Sequence, residues 1–248
     1  MNLIIYLIFL LPSFCFGANP FEFKEKPFNL KIGVDLRVQT NIRTGNTSFL
    51  RDRDPIVAPL PFARFKLGHL EIEPDKARLY IFKNFWGDFN LRGHYMGHDY
   101  NATDMSHRHS SVYTGFGARF LIFKFKYLRD VSGVSDARVT IVSAILPFHF
   151  GDSTTLIFQG DIETWDDNYV NYYFGVKPEE VRDGRPEYLG KEEDSYRIKG
   201  TFFTKVSKNW ILKLEASYRK YGKNIGYSPT VKRNNEKAGV IGWIYEFL

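Results

Sequence analysis

Four of the six histidines fall between His94 and His109. On a strand, where successive side chains alternate between faces, His94, Met96 and His98 share one face and form a set of soft and borderline ligands suited to copper or zinc. Met105, His107 and His109 follow. The same spacing equally describes a polar face running into a solvated loop, and no second layer of residues that would orient ligands can be read from the sequence. Carboxylates gather at Asp161, Glu163, Asp166 and Asp167. A glycosidase needs two carboxyls at a controlled separation, one of them with a raised pKa, whereas acids facing Arg and Lys of neighbouring strands are ordinary in a polar interior. His109-Ser110-Ser111 is the one local pairing that suggests acyl transfer, yet adjacent side chains on a strand point to opposite faces. The residues therefore offer no catalytic set and no cofactor site, and the chain reads as non-enzymatic.

Two further groups are candidates for binding. The segment W-D-D-N-Y-V-N-Y-Y-F-G-V places Trp165, Tyr169, Tyr172, Tyr173 and Phe174 beside Asp166 and Asp167 and stops at Gly175. Such a stretch suits an aromatic belt, a sugar platform or a packed loop. Its position, directly after an alternating strand, favours an ordered cap at the rim, with Asp166 and Asp167 expected to pair with basic lumen residues. Arg219, Lys220, Lys223, Lys232 and Arg233 form a basic group in the last long loop and its flanks, fit to hold phosphates through charge-assisted hydrogen bonds. Between Glu179 and Asp194 seven acids face three bases, so the two loops are expected to attract each other.

The elements that must position these residues are strands. Leu30, Ile32, Val34, Leu36 and Val38 alternate with Lys31, Gly33, Asp35, Arg37 and Gln39, a period of two with one apolar and one polar face. The pattern recurs from Phe85 to Tyr95, Leu156 to Ile162, Tyr196 to Thr204 and Trp210 to Arg219, often with aromatics at the ends of the apolar face. Aromatics make up 17% of the 248 residues, and no interior run reaches the 18 or so apolar residues of a membrane helix. Tight links at Ser207-Lys208 and His149 to Asp152 alternate with long ones at Thr40 to Pro55, Trp165 to Asp194 and Gly222 to Glu236. These features together predict an all-β transmembrane antiparallel up-and-down β-barrel. The strand count comes to about ten, starting near residues 29, 57, 77, 86, 111, 137, 154, 195, 209 and 237, with twelve as the alternative. Val112 to Leu128 reads as one long strand or two, and Ala77 to Phe82 alternates poorly.

The ends of the chain agree. An apolar run from Leu3 to Leu11, Pro12, then small Cys15 and Gly17 reads as a secretory signal over residues 1–17. A periplasmic tail is expected over 18–28 and a single barrel domain over 29–248. Cys15 is the only cysteine and leaves with the signal, which removes disulfides and thiol catalysis. The formal charge of +6 on an exported chain points to outer-membrane lipid and lipopolysaccharide phosphates, and not to nucleic acid. Ile241, Trp243, Tyr245 and Phe247 alternate into the closing residues, as outer-membrane barrels commonly end.

At this point the residues resemble the MltA-interacting protein (MipA) / OmpV family of Gram-negative outer-membrane proteins. The resemblance rests on Pro59-Leu60-Pro61-Phe62, on Asp130-Val131-Ser132-Gly133, on the tyrosine-rich run ending Tyr172-Tyr173-Phe174-Gly175-Val176, on Gly184 to Tyr188, and on Ser228-Pro229 before the closing aromatic strand. It covers nearly the whole mature chain. Two departures stand out: Tyr227 replaces the acidic residue usual before Ser-Pro, and Arg51 and Arg53 make the first long loop unusually basic. The resemblance implies an outer-membrane scaffold that brings a murein hydrolase, a lytic transglycosylase, together with a murein synthase, a penicillin-binding protein. A narrow pore or a ligand-binding or adhesin barrel is the alternative.

Overall fold

The computed structural model describes residues 27–47 and 51–247. The expected signal at 1–17 and nearly all of the expected tail lie outside the described residues, although Phe28, assigned to that tail, already opens the first strand. Twelve antiparallel strands among the described residues close into one barrel. They are β1 (Phe28–Gln39), β2 (Ile56–Leu67), β3 (Leu70–Glu73), β4 (Lys76–Lys83), β5 (Gly87–Met96), β6 (Ser111–Phe120), β7 (Phe123–Asp130), β8 (Arg138–Phe150), β9 (Thr154–Trp165), β10 (Glu193–Lys205), β11 (Trp210–Tyr221) and β12 (Asn235–Phe247). Each strand pairs with its sequence neighbours, and β12 returns to β1 with Leu30 opposite Phe247 and Gln39 opposite Ala238. Closure pairs nearly the whole wall, as spanning hydrocarbon requires, although β2 meets β3 only from Phe65 to Leu67.

The count of about ten was therefore low by two, and the alternative of twelve is the observed number. The missed strands are β3 and β7. With only four residues, β3 is too short to show a period. β7 was hidden because its hairpin with β6 turns at Leu121, which adopts φ 52 without glycine, so no turn residue marks the break within Val112 to Leu128. The weak alternation near residue 80 also has a cause. The register between β4 and β5 shifts between Tyr80 and Phe82, a bulge that leaves both Ile81 and Phe82 on the outer surface.

Elsewhere the alternation does what its period requires. Val34, Leu36, Ile198 and Ile241 face outward and are exposed, which is where lipid belongs. Their neighbours turn into the lumen and pair. Asp35 accepts from Lys213 at 2.8 Å, Glu71 is held by Arg64 and Arg78, each at 2.7 Å, and Asp88 meets Arg119 at 2.8 Å. Phe28, Trp210, Trp243, Tyr245 and Phe247 gather at the end that carries the short turns, with Trp210 and Trp243 stacked at 5.5 Å. That end is the periplasmic one by the rule of short inner turns and longer outer loops. No helix among the described residues is long and apolar enough to cross a membrane.

Ile198→Arg places a cation in the lipid near the middle of β10. It should cost about 2–4 kcal/mol, read as a lower urea midpoint for loss of heat-modifiable mobility. Arg at Lys199, one residue on and facing the lumen, should change little.

Candidate functional site

The aromatic segment begins at the top of β9 and folds inward. Asp167–Phe174 forms a short helix, α1. Asp166 is its N-cap and accepts from the Tyr169 N–H at 3.0 Å, the arrangement that satisfies an orphan donor of the first turn. Asp167 accepts from the backbone N–H of Glu192. Neither aspartate pairs with a basic lumen residue, so that expectation is corrected: helix formation claims Asp166, and the returning loop claims Asp167. The basic lumen residues find other acids. Arg197 meets Asp161 at 2.7 Å and Glu163 at 3.1 Å, and Arg219 meets Glu163 at 2.9 Å.

α1 lies across the outer mouth of the barrel as a plug. Trp165, Tyr169, Val170, Tyr173 and Phe174 are all buried, packed with Tyr113, Leu128, Val139, Tyr221 and Ile225. The rings of Trp165 and Tyr169 stack at 4.8 Å, and those of Tyr169 and Tyr173 lie 4.6 Å apart. Such pairs contribute about 0.5–1.5 kcal/mol each beyond the area they bury. Tyr172 sits at the edge of the cluster and accepts from the His109 N–H at 3.0 Å. At Gly175 a Cβ would collide with the carbonyl of Asn171, which is why the helix stops on glycine.

The exposed C-terminal carbonyls of α1 are met from other loops. Arg43 donates to the Tyr173 carbonyl at 2.7 Å and Ser228 to the Phe174 carbonyl at 2.6 Å. Arg43 also lies 4.0 Å from the centre of the Phe174 ring and 4.7 Å from that of Tyr100. A cation there complements the negative end of the helix and the faces of both rings. Burial lowers its pKa to about 10, so it keeps its charge at neutral pH.

Other sequence motifs meet at the same place. Asp130 accepts from the Ser132 and Ser135 backbone N–H groups at 2.8 and 2.6 Å and from both hydroxyls. Ser135 then contacts the Tyr113 hydroxyl at 3.0 Å, and Gly133 makes the turn with φ +69. In Gly184 to Tyr188, buried Arg185 donates to the carbonyls of Glu180, Thr103 and Asp104, each at 2.9 Å. Glu180 receives Arg108 at 2.6 Å and the Ser106 hydroxyl at 2.6 Å. These bonds fasten the loop after β9 to the loop after β5.

The histidine group is not brought together. Met96 packs against the aromatic core, and His98 stands among the rings of Trp165, Tyr169, Tyr173, Phe174 and Tyr221, with centroids at 5.1 to 6.4 Å. His94 lies lower on β5 and takes no part in that cluster. His107 lies 3.9 Å from His109 and reaches Asp99 at 2.6 Å. Among the described residues no three His, Cys, Asp or Glu side chains form a metal-binding group. Burial first, then the charges of Arg43 and Arg219, hold His98 well below the usual histidine pKa. It is a neutral ring in an aromatic nest.

The basic loop is also redistributed. Arg219 belongs to β11 and points into the lumen under Trp165. Lys220 is the next strand residue, exposed on the other face, and Lys223 opens the short helix α2 (Lys223–Gly226). Lys232 and Arg233 pair with Asp54 at 3.1 and 2.6 Å. The last long loop thus binds the first through its cations, and it also meets the acidic 179–194 loop, through Asn224 in place of a lysine or arginine: the Tyr188 hydroxyl donates to the Asn224 carbonyl at 2.6 Å, and the Asn224 N–H donates to the Glu193 carboxylate.

Below the plug, toward the periplasmic end, lies a cavity of about 400 Å³. Seven Lys and Arg side chains line it against four Glu, so its field is positive. Lys31, Lys199 and Lys213 are among them. No sequence signal marked it, because the lining residues come one to four at a time from nine strands.

The seal should weaken in acid, in two steps. His98 is depressed in the fold, so its contribution is complete above pH about 6.5 and is lost as pH falls below that value, where the unfolded ring takes a proton. Burial alone would raise Glu180, but Arg108 and Ser106 outweigh it and hold the carboxyl at about 2. Its contribution therefore drains away between pH about 4.5 and about 2. Hydrogen exchange of the α1 amides against pH should show both steps. His98→Phe should remove the first, and Glu180→Gln should remove the second at a cost of about 3 kcal/mol.

An outer membrane channel from Pseudomonas putida F1 is similar at 9% identity, over 93% of this chain and 100% of that one, with a TM-score of 0.42. The NanC porin is similar at 9% identity, over 89% and 100%, with a TM-score of 0.43, and Neisserial surface protein A at 10%, over 90% and 98%, with a TM-score of 0.30. No curated protein sequence matches the chain. A sequence model of one family, described as MltA-interacting protein MipA, matches residues 32–247, which takes in β2 to β12, most of β1 and every loop of the plug. The chain is an outer-membrane β-barrel and belongs to the MltA-interacting protein MipA family.

Proposed function

We propose that this protein is a sealed, non-enzymatic barrel that serves as an interaction platform for murein-remodelling enzymes at its periplasmic end. The observation that carries the reading is α1 itself, which lies across the outer mouth with five of its aromatic and aliphatic side chains or their immediate neighbours buried. A barrel shut at the loop end has little use as a conduit but offers a rigid support. The family description supplies the class of partner, a murein hydrolase, with a murein synthase as the second component. Among the described residues the candidate nucleophile and acids have other partners. Ser111 spends its hydroxyl on Tyr173 at 3.0 Å, and Asp161 and Glu163 are both engaged by arginine.

One observation favours a second reading. The positive field of the periplasmic cavity would suit a narrow, gated path for anionic solutes, with α1 as the gate.

Two measurements separate them. A tagged chain drawn from a detergent extract should retain murein hydrolase activity, and an extract free of cell-wall enzymes would sink the platform. In planar bilayers the wild-type barrel should be nearly silent. Replacing 167–174 by a Gly/Ser linker should raise conductance about tenfold or more, since it removes the packed aromatic seal. Steady anion-selective conductance by the wild type would favour the gated path.

A further inference from the structure

The P-L-P-F segment is the one motif that the plug does not use. It lies on β2, and β2 borders a gap in the wall. β3 has four residues and β4 eight, between the twelve of β2 and the ten of β5. At roughly 3.3 Å per residue, β3 covers about 13 Å, well short of the 9 to 11 residues a tilted strand needs to cross the hydrocarbon. β3 pairs with β2 only from Phe65 to Leu67. Above that point, among the described residues, nothing pairs with residues 56–64 on that side, although all of them are paired with β1 on the other. The turn at Pro74-Asp75 forms the sill, tied to β5 where the Tyr95 N–H meets the Asp75 carbonyl at 2.8 Å. The loops after β1 and β5 form the lintel. Thr47 donates to the Asn101 carbonyl at 2.7 Å and Arg51 to the Asp99 carbonyl at 3.1 Å.

Two features of β2 suit a site that faces lipid. The first is its edge. Gly68 donates toward the β1 side, to Pro27 at 2.7 Å, so by alternation the odd-numbered backbone groups face the gap. Pro59 and Pro61 occupy two of those odd positions and carry no N–H, which leaves fewer unmet donors in hydrocarbon and denies a foreign strand its pairing partners. The second is its inner face. Opposite Arg37, Asp35 and Gly33 of β1 stand Ala58, Leu60 and Phe62, so this stretch is apolar toward the lumen as well as toward the membrane. Other strands present charge there. Leu60 is 40% exposed although it faces inward, and outward-facing Val57 is 44% exposed.

We propose that the gap between β2 and β5 above the Pro74-Asp75 turn is a lateral window, and that an acyl chain of an outer-leaflet lipid enters it to lie against the inner face of β2. A protein strand is a poor occupant because the prolines break the edge ladder. A water-soluble ligand is a poor one because both faces of the strand are apolar. A lipid chain needs no hydrogen bonds and is already present at that depth.

The test uses the full-length chain with Cys15→Ser, folded into vesicles, and single cysteines labelled with a small fluorophore. Leu60→Cys and Phe62→Cys report the window. Gln159→Cys, on the lumen face of β9, and Ile198→Cys, on the lipid face, are the references. Heat-modifiable mobility on gels selects the folded fraction of each variant. With phospholipid brominated midway along its acyl chains, Leu60→Cys should be quenched at least threefold more than Gln159→Cys and approach Ile198→Cys. Phe62→Cys should follow in the same direction. If both window positions are quenched no more than Gln159→Cys, and respond to iodide in the aqueous phase as it does, lipid does not enter and the window is water-filled or closed. A response at Phe62→Cys alone, if Leu60→Cys does not fold, still decides between these outcomes.

Discussion

Every backbone polar group in the hydrocarbon layer must find its partner inside the protein, and this single constraint shapes the molecule. It explains why twelve strands close on themselves with β12 returning to β1, and why charged side chains turn inward to pair across the lumen. It also explains the one stretch of wall where the ladder is incomplete. There, Pro59 and Pro61 hold two of the positions whose N–H would face the gap, so fewer donors go unmet. A bulge in β4 adjusts the next strand pair without opening the ladder further.

Given a closed wall, the interior had to be filled or left wet, and the two ends differ. At the outer end an aromatic helix fills it, and the helix depends on residues far apart in the chain. Arg43 and Ser228 take up its last carbonyls, Tyr113 and Tyr221 pack its flank, and Ser111 and Ser135 close the hydroxyl network beneath. Gly97 is part of the same fit, because a Cβ there would strike the Tyr173 hydroxyl. At the inner end the described residues leave a cavity lined by seven Lys and Arg and four Glu. The contrast is one of side-chain supply: the long loops bring aromatic residues, while the short turns bring few.

Much of this was legible in the residues because a strand's period of two survives intact wherever one face meets lipid. β1, β9, β10, β11 and β12 were readable for that reason, as were the long loops and the rim position of the Trp165 segment. What was illegible has physical causes of the same kind. β3 is too short for a period, and β7 follows a turn made by a non-glycine residue. Asp166 and Asp167 are expected to meet lumen cations because a helix of eight residues leaves little periodic trace, so the capping role of Asp166 and the loop contact of Asp167 could not be seen. His94, Met96 and His98 share parity only while the strand lasts. β5 ends at Met96, and His98 turns into the plug.

The sequence by itself determined the class of the protein, since alternation, aromatic ends and a closing aromatic strand have no other economical reading than a membrane barrel. It also named the segments that matter, from P-L-P-F to Ser228-Pro229. Only the tertiary structure decided what those segments do together. Four motifs converge on one seal, the basic loop splits between lumen and rim, and P-L-P-F borders a gap in the wall. The physical reason is that periodicity is local, whereas closure, shear and the packing of a plug are set by contacts between residues as much as 217 positions apart, which no window along the chain can see.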